Sequence, residues 1–470
     1  MGVSGINARI LKVTSLFGGL QGANLVCSVI RLKLVAIWIG AAGIGLFGLL
    51  NSALETIFTL TQLGIRQSAV RDLAAANHAR LPHVVCAVRR WSLVLGIAGG
   101  LLTLGLSPWL SYLTFGDKSR WWMFAALSVT VLFSAVNNGE GAVFQGMQRF
   151  RKLAACTLAG TIGGLAISIP MFYVWRIDSI VPSFIAYSAC TWLAMGLYRE
   201  KVPSPAPGQS FKETMTIGRG FLTLGIYMTV TAASTSLISY IFMAYLNHEG
   251  TLDTTGYYNA GFTILNKYAG LVFTAIAMEY FPRLSAVASS RMRTSLFVSN
   301  QIRISLAIVV PMAALFIACS EWIVTLLYNN DFTIIKPFVI WGFTGTVLRA
   351  VSWCMSFVIL AKGDGRIFMF TELASCIAAL ALNIIGYRYG GFAGLGYAYC
   401  GWYVIYTIII GTVYTKRYNL SIDKRLYAYM AYGLLITICA ATLYSAVSPL
   451  GSILVAAVAC AVSARTLQRL

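Results

Sequence analysis

The sequence predicts an all-α polytopic membrane protein of about fourteen transmembrane helices, on three observations. Of its 470 residues 58% are hydrophobic and only 11% charged, and the mean hydropathy is +0.75, an apolar excess beyond what the core of a soluble domain absorbs. Apolar stretches of roughly 20 residues, the length that crosses a bilayer, recur between short polar breaks. Lys and Arg are distributed unevenly among those breaks: with the N-terminus in the cytoplasm, inner segments hold 26 and outer segments five. Such an asymmetry sets orientation and places both termini inside.

The elements follow in order. The opening MGVSGINARILKVTSLF lacks the short apolar core and small-residue cleavage site of a signal peptide, and Ile6 breaks the myristoylation pattern, so it reads as entry to a first helix, Ile10–Trp38. An uncharged outer break, IGAAG, leads into Gly43–Arg66, and a long inner break carrying Arg71, Arg80, Arg89 and Arg90 precedes Trp91–Phe115. Lys118 and Arg120 mark the outer turn before Trp121–Gln148, Arg149 to Lys152 the inner turn before Leu153–Trp175, and Arg176 the outer turn before Ile180–Tyr198. EKVPSPAPGQSFKETMTIGRG, Glu200 to Gly220, has the Pro, Gly and Ser content of a linker between two six-helix halves. The second half reads as Gly218–Leu246, Gly256–Phe281, Ile302–Tyr328, Phe332–Ala361, Ile367–Tyr387 and Phe392–Thr415, with Leu426–Val447 and Leu450–Ser463 as two additional helices. The domains expected are thus 1–199, a cytoplasmic linker 200–217, 218–416 and a tail 417–470. GLFGLLNSALE from Gly45 and GYYNAGFTILN from Gly256 occupy matching places in the two halves and point to a duplicated chain.

Residues three, four and seven apart share a helix face, and several faces here are polar. The first helix aligns Gln21, Asn24, Ser28 and Arg31, with Lys33 off that stripe; the second aligns Ser52, Glu55, Thr59, Gln62 and Arg66. Ser134, Asn137, Gly141, Gln145 and Gln148 form another stripe with Glu140 on its flank. The second half adds Asn259, Thr263 and Asn266 beside Lys267, then Arg349, Ser352 and Ser356, then Glu372, Ser375 and Asn383. Ser and Thr alone read as glue between helices. An ionised group in mid-helix costs about 2.5–3.5 kcal/mol even on the lenient insertion scale, so Arg31, Glu55, Glu140, Lys267, Arg349 and Glu372 are expected to line a wet cavity. Glu279, Lys33 and Arg66 lie nearer helix ends, where long side chains snorkel. Arg31, Lys267 and Arg349 are the candidate anion-binding cations. Glu55, Glu140 and Glu372 are candidates for binding a coupling proton or sodium ion.

Other chemistries lack a signal. The ten cysteines stand singly with no CxxC pair, and the histidines His78, His83 and His248 fall in breaks with no HExxH, so neither metal site nor cofactor is expected. The net charge of +20 is spread over helix ends rather than gathered in a patch, which argues for topology and against nucleic acid.

The stretches RLKLVAIWIGAAGIGLFGLLNSALETIFTLTQLGIRQSAVR, TGYYNAGFTILNKYAG with its following FPRLS, and NIIGYRYGGFAGLGYAY resemble the multidrug/oligosaccharidyl-lipid/polysaccharide exporter superfamily, within it the polysaccharide transporters and O-antigen flippases of the Wzx type. That resemblance implies two six-helix bundles forming a V around a central cavity, in a bacterial inner membrane. It implies as substrate an undecaprenyl-pyrophosphate-linked oligosaccharide, turned from the cytoplasmic to the periplasmic face for O-antigen or other surface polysaccharide, with a polymerase and a chain-length regulator as partners beside membrane lipid. A diphosphate suits Arg and Lys, the first as a fork and the second as a point charge. A cation-coupled multidrug antiporter of the same superfamily is the nearest alternative, disfavoured by the cationic inventory. A membrane glycosyltransferase or O-antigen polymerase fits less well, because no outer break is long enough to hold a catalytic loop, and the chain is not expected to be an enzyme.

Overall fold

The computed structural model describes residues 3–62, 64–77, 80–200, 211–446 and 449–468, and every regular element among them is helical. Side chains of residues 3–18, 21, 65, 67, 68, 71, 75, 211–228, 278, 282, 446, 449, 450 and 466–468 are outside the description, as are residues 201–210 of the expected linker. Ten runs among the described residues are long and apolar enough to cross a membrane. Two of them fold back on themselves, and the first helix and the short apolar Gly451–Arg465 complete the expected number. The chain is a multi-pass membrane protein.

It divides into two compact units, Met1–Gly256 and Tyr257–Leu470. The first begins with α1 (Val3–Trp38) and α2 (Ala41–Gln62), joined through Gly40 at φ 87. The expected helix Gly43–Arg66 stops at Gln62 because Gly64 takes the left-handed conformation (φ 66) that glycine adopts without a steric cost. A separate amphipathic α3 (Ile65–Ala75) follows, burying Ala69 and Leu73 against Val84 and Val88 of α4 and Val143 of α5. Helix α4 (Leu81–Phe115) starts well before Trp91, since Pro82 in its first turn lacks only an N–H that would have had no partner. Gly116 (φ 80) closes it and turns the chain into α5 (Trp121–Gly146). Helices α6 (Phe150–Trp175) and α7 (Ile180–Leu197) form a hairpin across the 3-10 turn Arg176–Ser179. Gly160 and Gly164 face Thr191 and Tyr187 so closely that a Cβ at Gly164 would lie 2.8 Å from the Tyr187 backbone. Helix α8 (Phe211–Glu249) packs on α2 and α4, where Asn247 Nδ2 donates to the Thr114 carbonyl at 2.8 Å.

The division point lies in α9 (Leu252–Thr263), which passes through a π-turn, Ile264–Tyr268, into α10 (Gly270–Val287). The expected helix Ile302–Tyr328 is two helices, α11 (Arg291–Ala318) and the short α12 (Ser320–Leu327), broken at Cys319. After α13 (Lys336–Ala361), the expected helices Ile367–Tyr387 and Phe392–Thr415 are two arms of α14 (Gly365–Thr412), which reverses at Gly391 (φ 54, ψ −134). Gly386 and Gly394 allow the arms to meet backbone to backbone, a Cβ on Gly394 falling 1.9 Å from the Gly386 carbonyl oxygen. The additional helices α15 (Lys424–Ala446) and α16 (Pro449–Gln468) pack on α11, with Ser452 Oγ donating to the Ala440 carbonyl at 2.9 Å.

Candidate functional site

The first unit encloses a cavity of about 530 Å³ walled by α1, α2, α5, α6 and α7. Of the residues expected to line a cavity, Asn24, Arg31, Glu55 and Asn137 do so, joined by Ser134 and Gly141 of the same α5 stripe. The lining mixes apolar side chains such as Leu54, Phe58 and Met195 with neutral polar Asn, Ser and Thr, and its charged members are Arg31, Glu55 and Arg66, the last from the start of α3. Glu55 is exposed and accepts from Asn51 Nδ2 at 2.9 Å, one helical turn away. Arg66 donates to Asn138 Oδ1 at 3.3 Å, and Asn137 Nδ2 donates to the Ser188 carbonyl at 3.1 Å while its own Oδ1 is buried without a partner.

Arg31 is placed unlike the others. Its guanidinium lies between two rings, 4.8 Å from the centroid of Phe47 and 5.3 Å from that of Tyr187. Phe47 is held in turn by stacking on Phe184 at 4.6 Å. The Arg31 Nε is buried with no hydrogen-bond partner, and no carboxylate among the described residues pairs with the side chain. Cation–π contact contributes about 0.5–2 kcal/mol per ring, whereas desolvating a guanidinium costs several kcal/mol. Two rings therefore do not offset the burial, and the site as built has capacity for an anion. Tyr187 and Phe47 carry no pattern in the sequence, being single aromatics on apolar helices; Asn51 shares the face of Glu55 and was legible by spacing alone. Arg66, read as a snorkelling end residue, opens on the cavity because α3 starts a new direction after Gly64.

The remaining expected lining residues sit elsewhere. Ser52 is buried, its Oγ directed at the Leu49 carbonyl and the Met243 sulfur on α8. Thr59 donates back to the Glu55 carbonyl at 2.7 Å, and the Gln62 amide is buried with neither polar atom bonded. Ser28 borders a second, smaller chamber, and the side chain of Gln21 lies outside the described residues. Glu140 faces away from the main cavity, in ion pairs with Arg89 at 2.7 Å and Arg199 at 3.0 Å.

In the second unit Arg349 forms a hub. Its Nη1 donates to Asn266 Oδ1 at 2.9 Å, to Tyr399 Oη at 3.2 Å and to the Leu265 carbonyl at 3.4 Å, while its guanidinium lies 4.9 Å from the Phe273 ring centroid. The Leu265 carbonyl and the Asn266 side chain belong to the π-turn, whose i→i+5 geometry departs from that of the flanking α-helices. Lys267 on the same turn is exposed and Asn259 is half-buried; both have interaction partners. Glu372 accepts a hydrogen bond from the Tyr406 hydroxyl. No cluster of three metal-ligating side chains occurs among the described residues.

Residues 44–337 match the family described as polysaccharide biosynthesis protein. The chain is 22% identical over 395 residues to the lipid III flippase of Escherichia coli (strain K12), covering 80% of this chain and 90% of that protein. Among solved structures, it is similar to the lipid II flippase MurJ in an inward closed conformation, with a TM-score of 0.72 at 12% identity over 98% of this chain and 99% of that one. An inward-facing multidrug resistance MATE family transporter of the MOP superfamily gives a TM-score of 0.67 at 14% identity, covering 87% and 96% of the two chains. At these identities the structural likeness establishes the fold.

Proposed function

The chain belongs to the polysaccharide biosynthesis protein family, and from that premise we propose that it is a flippase, moving an undecaprenyl-pyrophosphate-linked oligosaccharide from the cytoplasmic to the periplasmic face of a bacterial inner membrane for O-antigen or other surface polysaccharide. The observation that carries this reading is Arg31, a cation between two rings in a cavity that also presents neutral polar side chains, with no carboxylate paired to it among the described residues. A diphosphate supplies what that guanidinium lacks, paired acceptors in a plane that a fork of N–H donors meets. Neutral Asn, Ser and Thr side chains around it suit sugar hydroxyls, which both donate and accept. Family and relatives support the reading: the chain matches a polysaccharide biosynthesis family, and its curated relatives are named lipid III flippases. The multidrug antiporter is the weaker reading, because two arginines and one glutamate give this lining an excess of positive charge that repels organic cations.

The test is flipping of a fluorescent undecaprenyl-diphosphate oligosaccharide in proteoliposomes, normalised to inserted protein. Wild type should flip it, Arg31→Ala should lose most of the rate, and Arg31→Lys should recover only a part. Wild-type-like flipping by Arg31→Ala would remove Arg31 from the site, and no flipping by the wild type would overturn the assignment.

A further inference from the structure

Arg31, Asn24 and Tyr187 border two chambers, the main cavity and a side chamber of about 200 Å³ between α1, α6 and α7. We infer that the side chamber reads the substituents of the sugar joined directly to the diphosphate, so that Ser28, Asn24 and Thr161 set which lipid-linked glycan is accepted; the inference rests on the flippase reading above.

The side chamber differs from the main cavity in chemistry. Apart from Arg31, its polar lining is neutral, with Asn24, Ser28, Thr161, Ser168 and Tyr187, and it contains no carboxylate. Part of that lining is already ordered: Thr161 Oγ1 donates to Asn24 Oδ1 at 3.0 Å and lies 3.1 Å from the Tyr187 hydroxyl. Another part is not used. The Ser28 hydroxyl and Asn24 Nδ2 make no hydrogen bond among the described residues. A donor amide and a hydroxyl fixed beside a prepositioned Thr–Asn–Tyr network form the kind of site that discriminates between hydroxyl and acetamido groups, since a mismatched ligand leaves a buried polar group unpaired.

Size and position fit the same occupant. A chamber of about 200 Å³ is on the scale of one sugar ring, too small for an oligosaccharide. It adjoins the Arg31 guanidinium, so a diphosphate held there puts its first sugar at the mouth, with ring substituents directed inwards and the rest of the glycan continuing into the larger cavity. Gly164 lines the chamber where α6 approaches α7, and a side chain there would collide with Tyr187 at 2.8 Å.

The test uses the full-length protein in nanodiscs and four probes: undecaprenyl diphosphate, and its conjugates with glucose, N-acetylglucosamine and N-acetylgalactosamine. Wild type should bind the three conjugates with affinities that differ, the best and worst being about tenfold apart, as one lost hydrogen bond to a buried group implies. Combined Ser28→Ala and Thr161→Val should bring that ratio close to one, and Ser28→Leu, which fills the chamber, should weaken the acetamido conjugates more than the glucose one. Equal binding of all conjugates by wild type, or an unchanged ratio in both variants, overturns the inference while leaving the flippase reading in place. Bare undecaprenyl diphosphate that fails to bind wild type instead overturns the flippase reading and this inference with it, and equal binding to Arg31→Ala removes Arg31 from the site and overturns the placement of the first sugar beside it.

Discussion

Gly45 and Gly256 meet reciprocally: a Cβ on Gly45 would lie 2.0 Å from the Leu252 carbonyl oxygen, and one on Gly256 would lie 1.9 Å from that of Ala41. Each glycine thus faces the carbonyl one helical turn before the other, the relation that a local two-fold axis imposes. Real Cβ contacts do not approach so closely to rigid backbone, so Gly45→Ala and Gly256→Ala should each destabilise the protein by about 1–3 kcal/mol or more. Because both variants separate the same pair of helices, the double variant should cost less than the sum of the singles. Thermal unfolding in detergent measures this; a single substitution that leaves the midpoint unchanged would show that the crossing is looser than described.

That pair also indicates how far the sequence could be read. Gly45 and Gly256 open the two motifs that suggested duplication, so the repeat was visible while the mutual contact was not, since a linear pattern does not say that equivalent positions touch. Helix number and class followed from hydropathy, which depends only on composition along the chain. Breaks at Gly64 and Cys319 were missed because one residue's backbone conformation interrupts an apolar run without altering its hydropathy. Within the site, stripe spacing found Asn24, Arg31, Glu55 and Asn137, whose helices turn that face inwards. It also named Ser52 and Gln62, which share a face with Glu55 but fall where α2 is covered, for Ser52 by α8. Tyr187 has no periodic signature at all.

Arg31 and Glu55 both line the main cavity yet form no ion pair. Removing Glu55 therefore leaves no vacancy beside Arg31, and removing Arg31 exposes no buried carboxylate. Arg31→Ala should keep near-normal membrane abundance and lose transport, and Arg31→Ala/Glu55→Gln should be no more abundant than the single variant. Rescue of abundance by the second substitution would establish a structural pair instead.

The three acids proposed for ion coupling are in different settings, which separates their expected phenotypes. Glu55 alone opens on the cavity, where an ion reaches it from water. Glu140 is buried and held by Arg89 and Arg199, so Arg89→Ala should destabilise the fold by about 1–3 kcal/mol, less than an unpaired buried charge would cost, because Arg199 still pairs the carboxylate. Glu55→Gln should alter the dependence of vesicle flipping on an imposed proton or sodium gradient with little change in unfolding temperature. If flipping ignores both gradients in the wild type, coupling through any of these acids is ruled out.

Loop charge predicts sidedness. Lys118, in the turn after α4, and Arg151, at the start of α6, are both exposed and lie on opposite sides in the orientation proposed. In a background without the native cysteines, Lys118→Cys should react with an impermeant maleimide added outside spheroplasts and Arg151→Cys only after lysis. Gly250 is a poorer position for such a probe, since a Cβ there would lie 2.9 Å from the Thr254 hydroxyl. The reverse labelling pattern would invert the orientation.

Asp423 ties the loop before α15 to α11 through an ion pair with Arg303, and it accepts the Arg425 backbone N–H at 3.0 Å. That backbone hydrogen bond first, and the charges of Arg303 and Arg425 after it, hold the Asp423 carboxyl below the usual carboxylate range. A depressed folded-state pKa means that the attachment is complete above the unfolded value, about 3.9 for Asp, and is lost as pH falls through the lower folded value. Protection of backbone amides in the first turn of α15, corrected for intrinsic exchange, should stay flat from pH 7 to about 4.5 and fall only below about 4. Asp423→Asn should reduce that protection at pH 7 and remove its acid dependence, because the amide keeps the size of the side chain without its charge. A transition near pH 6 would assign the dependence to a different group, and full protection in Asp423→Asn would show that apolar packing of α15 on α11 suffices without the pair.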